Sequence, residues 1–238
     1  MRAMVFRGPG TALLEERRPV PRAARGEVLL RVEACGICRT DLHLLDGELP
    51  EPRLPVVPGH QIVARVAACG DEARRFRVGD RVGVPWLGGS CGGCEYCARG
   101  EENLCPGAVY TGCQRDGGFA EYCVADERFC FPIPQGFDSV SAAPLLCAGL
   151  IGYRAWRCCA GASRLGLYGF GSAAHILAQL ARSRGQAVYA FTRAGDASAQ
   201  AFARSLGACW AGAGDESPPE VLDAAIIFAP DGSLVPAA

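Results

Sequence analysis

The chain has 238 residues, half of them apolar and 21% charged, with a formal net charge of −1. That length buries a sizeable core and allows one or two domains, and the near-neutral charge argues against nucleic acid as a partner, since phosphate binding needs a strong positive patch. The longest apolar run, Ala142 to Tyr153, is too short for a bilayer and is broken by Pro144, Gly149 and Gly152, so no membrane span is expected. The opening MRAMVFRGPG has no apolar stretch of the kind a secretory signal needs, which makes a cytoplasmic, reducing compartment the expectation. In such a compartment the 14 cysteines read as metal ligands before they read as disulfides.

Residues 1 to 34 alternate short β-type runs, MVF and EVLLRVEA, around a connection rich in Pro and Arg at Pro19 to Arg25, the pattern of an antiparallel sheet or barrel. The next stretch, CGICRTDLHLLDGELPEPRLPVVPGH from Cys35 to His60, collects Cys38, Thr40, Asp41, His43 and His60 in one Pro- and Gly-punctuated segment. Zinc accepts Cys sulfur and His nitrogen, and a catalytic zinc has three protein ligands and one open position. Cys38 and His60 are expected to be two of the three, although Cys35 and Cys38 equally suit a redox pair or a small structural clamp. Strand patterning resumes in QIVARVAAC (61–69) and DRVGVP (80–85).

Cys91, Cys94, Cys97 and Cys105 follow in C-x2-C-x2-C-x7-C spacing on a Gly-rich loop. Four thiolates close a tetrahedral shell and leave no place for substrate, so this is expected to be a structural zinc site, with an iron–sulfur cluster the weaker competitor. After a further strand-like stretch (117–134) we place a domain boundary near Gly136, giving units 1–136 and 137–238. DSVSAAPLLCAGLIGYRAWRCC then reads as one helix with Cys147 early in it, where free amides and the dipole favour a thiolate. Cys147 is the candidate third ligand, evenly weighed against a small apolar core residue.

RLGLYGFGSAAHILAQLARSRGQAVYAFTR gives a strand, a Gly turn, an amphipathic helix and a second strand. Gly169, Gly171 and Ala174 form G-x-G-x-x-A in the context the dinucleotide fingerprint requires, with the pyrophosphate expected at the following helix N-terminus. At the end of the second strand, where an acid would bind the ribose hydroxyl of NAD, stand Thr192 and Arg193, which favours NADP over NAD. A helix near Ser198 to Leu206 and strands near Cys209 to Ala211 and at DAAIIFA (223–229) bring the strands to about four, where a doubly wound domain usually has six; a truncated C-terminal part is the simplest account.

In order along the chain, CGICRTDLH, PGHQ, CGGCEYCARGEENLC, DGGFAEY, PLLCAGLIGYRA and LYGFGSAAH resemble the zinc-dependent medium-chain alcohol dehydrogenases. The resemblance implies an α/β chain in which a GroES-like β-domain precedes a Rossmann domain, here truncated, with the active site in the cleft between them. It implies Cys38, His60 and Cys147 as ligands of a catalytic zinc, with Cys35 a neighbour only. Thr40 and His43 match the relay that carries the alcohol proton away, Asp41 the carboxylate that orients the ligating imidazole, and Arg39 a contact to the cofactor pyrophosphate. The implied reaction is hydride transfer between an alcohol and NADP or NAD, interconverting alcohols with aldehydes or ketones, in a homo-oligomer when full length. An NADPH-dependent aldehyde reductase is the near alternative, and a non-catalytic zinc-binding fragment the alternative from another class. Gln61 departs from the family, which usually has Glu after the ligating His. His175 reads as an ordinary helix residue.

Overall fold

The computed structural model describes residues 1–238, which form two compact units, Met1–Cys147 and Ala148–Ala238. The first is mainly antiparallel β. Its elements are β1 (Arg2–Val5), β2 (Leu14–Arg17), β3 (Glu27–Gly36), α1 (Arg39–Leu45), β4 (Gln61–Cys69), β5 (Arg81–Val84), β6 (Leu87–Gly89), α2 (Glu95–Ala98), β7 (Val109–Tyr110), β8 (Tyr122–Asp126), β9 (Phe131–Pro132) and α3 (Ser139–Ala142). A five-stranded sheet runs β8-β3-β4-β5-β9, beside the hairpins β1-β2 and β6-β7. Apolar residues on one face of β3, β4, β5 and β8, including Val28, Leu30, Ile62, Ala64, Val66, Val82 and Val84, make the core together with the buried thiols Cys123 and Cys130. Alternation of this kind is what one solvated and one packed face demands of an antiparallel sheet.

The second unit contains α4 (Ala148–Cys158), β10 (Arg164–Tyr168), α5 (Ser172–Ser183), β11 (Ala187–Thr192), α6 (Ala197–Ser205), β12 (Trp210–Ala213) and β13 (Ala224–Ile227). Its four strands are all parallel, in the order β12-β11-β10-β13. Numbered from β10, that is 3-2-1-4, the arrangement of the dinucleotide-binding doubly wound sheet. β10 and β11 are buried along almost their whole length, as central parallel strands covered on both faces must be. Leu165, Leu167, Val188 and Ala190 pack under Trp156, Leu177, Ala178 and Ala203, and on the opposite face Tyr168 stacks on Phe191 at 3.9 Å. No helix is long and apolar enough to cross a membrane.

Two expectations need correction. The stretch after Asp138 is not one helix: α3 gives way to a 3-10 turn at Ala143–Leu146, with Pro144 in its first turn, and α4 starts only at Ala148. Cys147 therefore stands between two helical segments, with φ −131° and ψ −74°. Secondly, the division between the units falls after Cys147 and not at Gly136. Residues 137 to 147 belong with the β-sheet because Ala142, Ala143 and Leu146 pack on Val63, Ala34 and Ile133, and because Arg81 donates to the Phe137 carbonyl at 2.6 Å.

A polar clasp holds this returning segment. The Ser139 hydroxyl donates to Glu33 at 2.7 Å, and the same carboxylate pairs with Arg65 at 2.7 Å and Arg81 at 3.5 Å. Burial pushes the Glu33 carboxyl up, but the Ser139 hydrogen bond and the two guanidinium groups outweigh it and leave the group below its ordinary range. A carboxyl depressed in the folded state contributes fully above its unfolded pKa, about 4.3, and its contribution fades as acid takes the pH below that value. Glu33→Gln is expected to be less stable than the parent by about 1 kcal/mol at neutral pH. The gap should close below about pH 4 in denaturant unfolding; a gap independent of pH would show that the charge on Glu33 plays no part.

Candidate metal centre

Three side chains far apart in sequence meet in the first unit. Cys38 Sγ lies 3.2 Å from His60 Nε2 and 4.0 Å from Cys147 Sγ, and all three donor atoms fall within 4.8 Å of one another. Each is placed by a different device. Cys38 is the N-cap of α1: its sulfur accepts the Thr40 N–H at 3.3 Å, while its own N–H donates to Asp41 Oδ2 at 2.8 Å. His60 lies within the buried run Val56–Ala64 and follows Gly59, which has φ +97° and where any Cβ would sit 2.6 Å from Phe119 and 2.8 Å from the Cys35 sulfur. Only glycine fits that bend. Cys147 is brought in by the 3-10 turn that packs on the sheet.

Asp41 does two jobs. Besides closing the cap on Cys38, its Oδ1 stands 3.5 Å from His60 Nδ1, so the ring presents Nε2 to the two sulfurs. Burial pulls the His60 imidazole down, yet hydrogen bonds to Asp41 and Cys38 prevail and hold it up at about 9. The contact with Cys147, opposed by burial and helped by His60 and Thr40, holds the Cys38 thiol down at about 3, and the same contact with burial pushes Cys147 up. The donors thus share protons that a divalent cation would displace, since ligation takes thiolate and neutral imidazole. A Cys2His set of this spacing fits zinc, for which Zn–S and Zn–N lengths of about 2.3 and 2.0 Å place tetrahedral neighbours about 3.5 Å apart.

The other residues expected at this site are placed as follows. Cys35 is outside the donor set; its sulfur faces the Gly36 carbonyl and burial pushes its thiol up to about 12. Thr40 and His43 lie one turn apart on α1, and His43 Nδ1 contacts Glu48 Oε2. That Glu48 contact was not foreseen, because a five-residue separation across a helix end carries no sequence signature. Arg39 is exposed and makes no ion pair. Gln61 is buried and its Nε2 has no hydrogen-bond partner. The Trp86 and His60 rings meet in a T-shaped contact, 5.0 Å between centroids.

Cys91, Cys94, Cys97 and Cys105 also converge within 4.8 Å. Their sulfurs stand 3.6 Å (Cys94 to Cys97) and 3.9 Å (Cys91 to Cys97) apart, and the Cys91 N–H donates to Cys105 Sγ at 3.4 Å. A disulfide needs about 2.05 Å, whereas the edge of a tetrahedral tetrathiolate zinc is about 3.8 Å. The four therefore have the spacing of ligands around one ion.

In the second unit Gly169 follows β10 with φ +87°, its N–H bound to the Phe191 carbonyl at 2.9 Å and the Ala229 nitrogen 2.7 Å from where a Cβ would be. Gly171 caps α5, and nothing lies within 4 Å of a Cβ built there, which leaves open space before the helix N-terminus. Ala174 is fully buried in the core. These are the three positions a dinucleotide turn requires to be small, one for the bend, one for the approach of phosphate and one for packing. Thr192 is buried, with its hydroxyl accepting from Gln200 Nε2 and directed at the Arg193 and Gly212 carbonyls, while Arg193 is exposed at the strand end.

Two sets of metal-ligand residues on a β-domain followed by a dinucleotide-type sheet define a two-part architecture, and comparison with known proteins narrows it. Residues 24–135 match the alcohol dehydrogenase GroES-like domain. The chain is 48% identical over 226 residues to the "Probable alcohol dehydrogenase AdhA" of Mycobacterium tuberculosis strain CDC 1551, covering 91% of this chain and 64% of that protein. Among solved structures, a protein described as a zinc-binding dehydrogenase from Sinorhizobium meliloti 1021, bound to NADP, superposes with a TM-score of 0.85 at 30% identity, covering 98% of this chain and 71% of that one. The CAD of Helicobacter pylori complexed with NADP(H) gives 0.85 at 25% identity, covering 96% and 69%. The chain belongs to the medium-chain alcohol dehydrogenase family with a GroES-like domain. It spans 51–64% of the length of the first curated relatives it matches.

The two glycines of the turn should respond differently to the same change. Gly169→Ala forces a side chain into positive φ against backbone and is expected to cost more than about 1 kcal/mol, whereas Gly171→Ala should stay within about 0.5 kcal/mol of the parent. Thermal unfolding of both variants tests this, and equal losses would contradict the geometry described.

Proposed function

We propose that the chain carries a zinc-dependent oxidoreductase activity that transfers a hydride between an alcohol carbon and the nicotinamide of NADP or NAD, interconverting alcohols with aldehydes or ketones. The observation that carries this reading is the convergence of Cys38, His60 and Cys147 on one point. Three donors leave a fourth position for substrate, in contrast to the closed four-cysteine set, which is read as a structural zinc site.

When bound, zinc supplies a Lewis acid that eases loss of the proton from an alcohol hydroxyl. The chain's own residues do the rest. Asp41 engages His60 Nδ1 and so fixes which ring nitrogen faces the sulfurs. Thr40 and His43 are the residues that pass the hydroxyl proton outward, and Glu48, by engaging His43 Nδ1, leaves Nε2 for exchange with water. Arg39, exposed and unpaired, is available to the cofactor pyrophosphate. On the nucleotide side the bend at Gly169 and the open space at Gly171 admit a pyrophosphate. Arg193 without a neighbouring acid at the end of β11 favours a 2′-phosphate, hence NADP. Run toward the alcohol with NADPH, the same chemistry is an aldehyde reductase.

Metal analysis of the wild type beside Cys38→Ser, His60→Ala and Cys147→Ser is expected to give about two zinc ions per chain, falling to about one in each variant. Two ions retained in all three variants would remove the catalytic zinc from this reading. In calorimetry on the 238-residue chain, NADP is expected to bind about tenfold more tightly than NAD, with Arg193→Ala abolishing the difference. Binding of neither nucleotide would favour a non-catalytic zinc protein.

A further inference from the structure

The two cysteine-containing sites are joined by a route that neither site requires for its own ligation. The loop that carries Cys91, Cys94, Cys97 and Cys105 is the connection of the β6-β7 hairpin: β6 ends at Gly89, just before Cys91, and β7 begins at Val109, just after Cys105. The hairpin is narrow, with Leu87 opposite Tyr110 and the Thr111 N–H donating to the Trp86 carbonyl at 2.9 Å. At its base the Trp86 and Tyr110 rings stack, 4.9 Å between centroids and 18° from parallel. Trp86 also meets the His60 ring, in a T-shaped contact at 75° and 5.0 Å. Both aromatics are half-buried in an apolar cluster with Phe6, Leu44, Val56 and Cys113, so neither ring is free to swing.

His60 is itself 1% exposed and is held by polar contacts only through its two nitrogens, Asp41 on one and Cys38 on the other. Those contacts fix the nitrogens but leave the ring free to tilt about the line joining them. The indole packed against the imidazole in the T-shaped contact removes that freedom. We propose that Trp86, backed by Tyr110, is a positioning residue for His60, and that through this stack the four-cysteine loop controls how tightly the three-donor site holds its ion. An ion in the closed site pins the two arms of the hairpin together; with the arms loosened, Tyr110 no longer supports Trp86, and the imidazole loses its backing. The proposal rests on the reading of Cys38, His60 and Cys147 as a zinc site.

The test uses the full chain, zinc, and competition with a chromophoric chelator, which reads affinity at each site without any assay of turnover. The four-cysteine site is measured alone in a His60→Ala background, and the three-donor site by difference. Trp86→Leu and Tyr110→Leu are expected to weaken zinc at the three-donor site by about 10-fold or more, the size usual for loss of a group that orients a ligand. Trp86→Phe and Tyr110→Phe, which keep a flat ring, should stay within about threefold of the parent. Zinc at the four-cysteine site should be unchanged in all four, and this guards against simple unfolding. Cys97→Ser should weaken the three-donor site to a similar extent, and Trp86→Leu added to it should produce little further loss, the non-additivity expected of residues acting along one route. Leucine variants that hold zinc as the parent does, or losses at Cys97 and Trp86 that simply multiply, would overturn the proposal while leaving the zinc reading intact. A wild type that takes up only the four-cysteine zinc would overturn both.

Discussion

The contact between His60 Nε2 and Cys38 Sγ is the constraint around which the β-domain is arranged. Two polar groups brought together within a largely apolar shell are costly unless each is satisfied, and the surrounding chain does satisfy them. The first turn of α1 supplies Asp41 to the imidazole and the Thr40 amide to the sulfur, and the segment from Asp138 to Cys147 is folded back to supply the second thiol. The clasp from Ser139 to Glu33 and the apolar patch of Ala142, Ala143 and Leu146 exist in the right place for that return. Cys147 is thus the final residue of the β-unit in structure, although it stands at the threshold of the helical one in sequence.

The four-cysteine set and the three-donor set are assembled in different ways. The first gathers ligands within 15 consecutive residues and organises a loop that has little apolar content of its own; the second gathers them from positions spread over most of the β-unit. Local ligands are cheap to bring together because the loops they close are short, whereas distant ones depend on a fold that already exists. The order of dependence follows: the sheet must form before the three-donor site can, while the cysteine loop needs only its hairpin.

Much of this was legible in the sequence where the pattern is local. β4 begins and ends where the QIVARVAAC run does, and C-x2-C-x2-C-x7-C announced a cluster that the chain does form. The Gly169 to Ala174 turn showed itself because a strand, a bend and a helix must follow one another to make it. Where tertiary packing decides, the sequence was less informative. The polar strand β2, LEER, has no apolar alternation and is defined only by its pairing with β1. The helical periodicity from Ser139 to Cys158 concealed a break, because Ala143 and Leu146 are claimed by the sheet while Ala148, Gly152 and Trp156 are claimed by the other unit. The position of Trp86 over His60 could not be foreseen, since its spacing from His60 carries no periodic signal.

The thiols of Cys123 and Cys130 are sealed in the sheet core, at 2% and 0% exposure, and burial raises both, Cys130 to about 12. As long as the strands stay zipped these sulfurs are chemically silent, because only a solvated thiolate attacks an electrophile. Modification at either position therefore records an excursion in which the sheet parted from its packing. Two silent sulfurs inside an otherwise cysteine-rich chain act as a built-in chronometer of breathing, set apart from the surface thiols by how slowly they run.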